Sequence, residues 1–136
     1  VLEKIVQQIP ASKLDEKLSP DRFTLREAIA HQADWEPIFY GRLRQMLDTP
    51  GASIESRDEG QMAIDNNYAA KDVNECLARL KQDRAKTTAM LKALPPEDWD
   101  KFGNHWEIGH MTVYDLASMM QGHDMYHLQQ ASSYLS

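Results

Sequence analysis

The sequence predicts an all-α fold, a four-helix bundle with long connectors, forming one domain over residues 1–136. Three observations carry that reading. Four stretches repeat apolar residues at helical spacing, three of them behind a Thr or Asp placed three residues before an acidic residue. No stretch alternates apolar and polar residues long enough to read as a half-buried strand. At 136 residues and 42% hydrophobic, the chain is large enough to enclose one real core.

Leu2, Ile5, Val6 and Ile9 stop at Pro10, which reads as the last two turns of a truncated first helix. A connector runs from Pro10 to Arg22. Thr24 and Glu27 then form a capping box, and Leu25, Ala28, Ile29, Phe39, Leu43 and Met46 carry a second helix to about Leu47. Pro37 inside it lacks the amide that would bond back to Ala33, so a bend is expected near residues 33 to 37. From Asp48 to Ala70 the sequence is polar and aperiodic, a long loop with room for one short turn of helix. Asp72 with Glu75 opens a third helix, whose stripe of Val73, Cys76, Leu77, Leu80, Leu91 and Leu94 ends before Pro95-Pro96. Asp83, Arg84 and Thr87 interrupt that stripe, so something polar faces it; Arg84 is expected to send its guanidinium to solvent or to Asp83. Glu97 to Met111 is a second connector, and Thr112 with Asp115 caps the last helix, which runs to about Leu135.

A net charge of −6 with only 15 scattered Lys and Arg argues against a nucleic-acid or anionic-membrane surface, leaving a small molecule as the expected partner. The single Cys76 cannot form an internal disulfide. With no apolar run long enough to span a bilayer and no leader pattern, the expected location is cytoplasmic.

His123 and His127 are the anomaly. On a helix counted from Val113 they fall among Leu116, Met120, Ala131 and Tyr134, near the middle of the apolar face. Imidazoles four apart project side by side, the spacing by which one helix offers two nitrogens to one metal ion. Spacing alone leaves two readings open, a metal site or a pair of hydrogen-bonded core histidines. A metal would need a third ligand, for which His31 on the second helix is the best placed, with His105, His110 and Asp34 as rivals. Three imidazoles leave coordination positions open for water or substrate, and they suit Zn or Ni first, with Fe or Cu also accepted. Proton competition predicts metal release below about pH 6. No G-x-S-x-G or Gly-rich phosphate loop is present, the one Glu-x-x-His pair, Glu107 and His110, lies in a connector, and Glu55, Asp58 and Glu59 read as a solvated loop.

These residues support a resemblance. Phe23 to His31 with Asp34-Trp35-Glu36, and Thr112 to Leu116 leading into Gly122-His123-Asp124-Met125-Tyr126-His127-Leu128-Gln129-Gln130, resemble in order and separation the DinB-like (YfiT-like, damage-inducible) metalloenzyme superfamily. The resemblance covers the chain from about Ile9 onward. It implies an up-up-down-down bundle, frequent homodimers and a divalent metal on His31, His123 and His127. It also implies thiol-dependent chemistry, the transfer of bacillithiol, mycothiol or glutathione to electrophiles, with a low-molecular-weight thiol as co-substrate; metal-dependent hydrolysis is the lesser expectation. The alternative is a non-catalytic metal- or ligand-binding bundle of the stress response. Asp34 and Asp124 are candidates to orient the imidazoles from behind, and Tyr68 and Arg84 are candidate pocket residues, Arg84 because a buried guanidinium would suit an acidic substrate or thiol.

Overall fold

The computed structural model describes residues 1–135. Four bundle helices account for most of the chain: α1 (Leu2–Gln7), α2 (Leu25–Asp48), α4 (Val73–Lys92) and α5 (Val113–Ser132), with a short α3 (Glu59–Asp65) in the long loop. The architecture is thus a mostly helical four-helix bundle whose first helix is short. Caps begin the helices where the sequence places them. Thr24 Oγ1 accepts from the Glu27 amide while Glu27 Oε1 accepts from the Thr24 amide, and Thr112 and Asp115 make the same exchange at α5. At α4 the Asp72 carboxylate accepts from the Glu75 amide. The helical assignment of α2 runs unbroken through Pro37.

The expectation of a strand-free chain is corrected by a small three-stranded sheet. Strand β1 (Ala52–Ile54) pairs in parallel with β2 (Phe102–His105), which pairs antiparallel with β3 (Gly109–Thr112). The strands are three and four residues long, too short to show alternation, and β1 pairs with β2 across α3 and α4 in sequence. His105 Nδ1 accepts the amides of Glu107 and Ile108 and so holds the β2–β3 turn, which closes through Gly109 at φ +85°. Ile54 and Met111 of the sheet pack on Leu43, Met46 and Leu47 of α2.

The apolar interior is divided in two. One cluster joins Leu25, Ile29, Ala30 and Ala33 of α2 with Val73, Cys76 and Leu77 of α4, and with Val6, Ile9, Tyr68, Ala131 and Tyr134. The other joins Trp35, Phe39, Leu43 and Met46 of α2 with Val113, Leu116 and Met120 of α5, backed by Met90 and Leu91 of α4 and by Leu94 just past its end. Between them each long helix turns polar: His31, Gln32 and Glu36 on α2, Asp83, Arg84 and Thr87 on α4, and His123, Asp124 and His127 on α5. The interrupted α4 stripe is one third of this belt, which buried polar groups tolerate only by satisfying one another.

Candidate metal centre

Two patterns aim histidines at one point. His31 lies on α2 two turns after its cap, and the i, i+4 spacing on α5 stacks His123 below His127. The Nε2 atoms of His31 and His123 are 3.1 Å apart, and those of His127 and His123 are also 3.1 Å apart. His31 and His127 are buried and His123 is partly so; ligand atoms from all three lie within 4.8 Å of one another.

Hydrogen bonding cannot account for this geometry alone. His127 Nδ1 meets Gln130 Oε1 at 2.9 Å, and since a carbonyl only accepts, Nδ1 carries the proton and Nε2 presents a lone pair. His123 Nε2, facing both other rings, can donate to one of them or accept from one. With three neutral rings, one nitrogen cannot serve both partners well, so at least one of the two close contacts lacks a proper hydrogen bond. A cation at the centre resolves the conflict, and two metal–nitrogen bonds of about 2.1 Å spanning 90–109° put their nitrogens about 3.0–3.4 Å apart. The three-histidine set therefore fits a divalent transition metal.

Electrostatics act in the same direction. Burial, then the neighbouring His127 and His123, hold His31 down at about 3. Burial and His127 hold His123 down at about 4, against a smaller opposing pull from Asp124. His127 is lowered by burial, offset in part by Gln130 and Asp124. Neutral imidazoles at ordinary pH are the ligating form.

The rings open onto a cleft of about 370 Å³ lined by Asp21, Arg22, Phe23, Glu59, Gly60, Tyr126 and Gln130 as well as the histidines. Phe23 and Tyr126 flank it, their rings 5.6 Å from His31 and 5.2 Å from His127. Glu59 lines the cleft from α3; it remains on the exposed surface, with its carboxyl pKa raised by desolvation.

The rival ligands lie elsewhere. His105 holds the hairpin turn, and the exposed His110 stacks on Phe102 at 4.6 Å. Asp34, one turn from His31, accepts from Arg79 at 2.6 Å and Asn66 at 3.0 Å, so it braces α4 and the loop instead of orienting an imidazole. Asp124 likewise turns away from His123 and accepts two hydrogen bonds from Arg84, at 2.6 and 2.9 Å. Arg84 Nε donates to Glu36, a residue only 1% exposed that sequence reading did not single out. Neither solvent nor Asp83 holds the guanidinium: two carboxylates do, and Asp124 above all raises its pKa. Arg84 is thereby a strut of the polar belt, and it lines two clefts together with Asp124, neither of them the cleft at the histidines. Tyr68 is fully enclosed behind Phe23, ring centroids 6.2 Å apart, with its phenol pKa raised by burial and by Asp34.

A helical bundle with an open three-histidine centre defines the class to which the comparisons also point. The chain belongs to the DinB superfamily, whose family model matches residues 1–131. It is similar in structure to YfiT from Bacillus subtilis, described as a probable metal-dependent hydrolase with an unusual four-helix bundle topology. The TM-score is 0.83 at 22% sequence identity, covering 97% of this chain and 78% of that one, a likeness of fold. Among curated proteins, no sequence matches this chain. No helix of the described residues is long and apolar enough to cross a membrane.

Proposed function

We propose that this chain is a divalent-metal-dependent enzyme that acts on a small molecule in the cleft beside His31, His123 and His127. The observation that carries the reading is the convergence of three imidazole nitrogens, two of their edges 3.1 Å long, at the floor of an open cleft. A bound ion there, Zn or Ni before Fe or Cu, supplies Lewis acidity, favouring thiolate over thiol or hydroxide over water on its open side. His31, His123 and His127 would hold such an ion and leave its cleft side open. Phe23 and Tyr126 give that side apolar walls, and Arg22 and Glu59 bring opposite charges to its mouth.

The reaction we favour is thiol-dependent transfer, in which a low-molecular-weight thiol of the bacillithiol, mycothiol or glutathione type is joined to an electrophile. Support comes from the superfamily pattern around the three histidines and from the open cleft of about 370 Å³ beside them. Hydrolysis is the second reading. The description of YfiT and the raised carboxyl of Glu59, a group able to exchange a proton with water at the mouth, favour it. Homodimerisation and a cytoplasmic location belong to the same proposal.

The test is a screen of the metal-loaded protein against electrophiles with each thiol class, and against ester, amide and lactone substrates without thiol. Thiol consumption that chelator abolishes and that His127→Ala lacks supports transfer. Turnover without thiol, lost in Glu59→Gln, supports hydrolysis. Turnover of either kind that survives both chelator and His127→Ala would defeat the metal-dependent reading.

A further inference from the structure

Gln130 touches the candidate centre without belonging to any ligand set, and its contact determines what His127 can do. A neutral histidine exists as two tautomers, and only the one protonated on Nδ1 offers its Nε2 lone pair to the interior of this site. Gln130 sits three residues after His127 on α5, one turn along the same face, and its Oε1 meets Nδ1 at 2.9 Å. His31 and His123 have no comparable side-chain partner at Nδ1 among the described residues; their recorded side-chain contacts run through Nε2.

We infer that Gln130 is a positioning residue: its carbonyl oxygen holds His127 in the Nδ1–H tautomer and fixes the ring so that Nε2 faces the other two histidines. The inference rests on the metal reading above only for its consequence, tighter metal binding, and not for the tautomer itself. An oriented partner on the far nitrogen makes an imidazole a better ligand, and loss of such a partner commonly weakens metal binding about 10–100-fold. An inverted amide, with its NH₂ toward Nδ1, would instead place a proton on Nε2 and point it into the centre.

Two readouts on wild type, Gln130→Leu and Gln130→Glu separate these cases. The first is the ¹⁵N spectrum of the histidine rings in the metal-free protein at pH 7.5, which assigns the tautomer directly. The second is Co²⁺ affinity by competition with a chromophoric chelator, read together with the visible spectrum of bound Co²⁺. Wild type should show His127 protonated on Nδ1. Gln130→Leu should lose that preference and bind Co²⁺ about 10–100-fold more weakly. Gln130→Glu, which keeps an acceptor oxygen, should retain both the tautomer and an affinity within a few-fold of wild type, which a merely structural role for Gln130 would not produce. Circular dichroism of each variant checks that α5 remains folded. An Nε2–H tautomer in wild type, or a Leu variant with unchanged tautomer and Co²⁺ affinity, overturns the inference. If wild type binds no Co²⁺ while the Leu variant still shifts the tautomer, the metal reading and the role toward metal both fail, and only the tautomer assignment stands.

Discussion

Asp124 stands beside His123 in sequence yet holds Arg84 of α4 through two hydrogen bonds, at 2.6 and 2.9 Å. The same guanidinium also reaches the enclosed Glu36 of α2, so one side chain ties together the three long helices at the level of the histidines. The apolar clusters end on either side of this layer.

Arg84→Met should therefore cost far more than a surface ion pair. It strands the Glu36 carboxylate, only 1% exposed, and breaking a buried pair from one side costs about 3–5 kcal/mol, an upper bound here because the Arg84 side chain is 34% exposed and partly screened by solvent. Adding Glu36→Gln removes the stranded charge and should recover part of the loss. Urea unfolding of the single and double variants measures both quantities. A single-variant loss below about 1 kcal/mol, the range of exposed pairs, would show that the guanidinium is not a strut.

Acid should weaken the metal-free protein earlier than its carboxylates alone require. An unfolded histidine titrates near about 6.5, whereas His31 and His123 are held at about 3 and about 4 in the fold. Between those limits the unfolded chain binds protons that the native chain refuses. Proton uptake by the unfolded histidines thus ceases to favour unfolding only above about pH 6.5, and stability falls as pH drops from there toward 4. Urea midpoints of metal-free protein at pH 7.5, 5.5 and 4.5 should decline, and more steeply than in a His31→Leu, His123→Leu variant. Parallel declines would contradict the burial assigned to the rings. Metal retention follows the same logic: because the folded site resists protons, release should set in at a lower pH than free imidazoles would give.

Two glycines should respond to alanine with opposite sign. A Cβ on Gly103 would lie 2.8 Å from Ile54 Cγ1 and 2.9 Å from Met46 Cγ, with the Ala52 carbonyl at 3.2 Å. Gly103→Ala should force β2 off α2 and destabilise by about 1–3 kcal/mol. Gly41, in the exposed interior of α2, has nothing within 4 Å of its Cβ position, and Gly41→Ala should stabilise by about 0.5–1 kcal/mol. Thermal unfolding of the two variants checks the contrast. Equal effects would mean that the sheet does not press on α2.

What the sequence disclosed was whatever depends on local spacing. The caps at Thr24, Asp72 and Thr112, the stop at Pro95 and the side-by-side histidines on α5 follow from rules that act within a few residues. The gap in the α4 stripe was visible as well, but its occupants were not: Glu36 and Asp124 reach Arg84 from 48 and 40 residues away. The sheet was hidden for a related reason, since Ser53 pairs with Asn104 across most of the bundle and three-residue strands have no period to detect. The cleft walls escaped too. Phe23 and Tyr126 stand in the stretches that carry the resemblance, but nothing local marks them as cleft walls, and Glu59 reaches the site only because α3 folds back toward it. For Gln130 a signal did exist, the i, i+3 spacing from His127 that brings an amide beside an imidazole.

The most direct test of the centre is metal stoichiometry. Wild type and the three variants His31→Ala, His123→Ala and His127→Ala are loaded with excess Zn²⁺, freed of unbound ion by gel filtration and assayed by plasma mass spectrometry. Wild type should carry about one ion per chain, with a large loss in each variant, including His31→Ala, whose ligand comes from a different helix. A wild type that retains no metal, or a His31→Ala protein that retains as much as wild type, would contradict it.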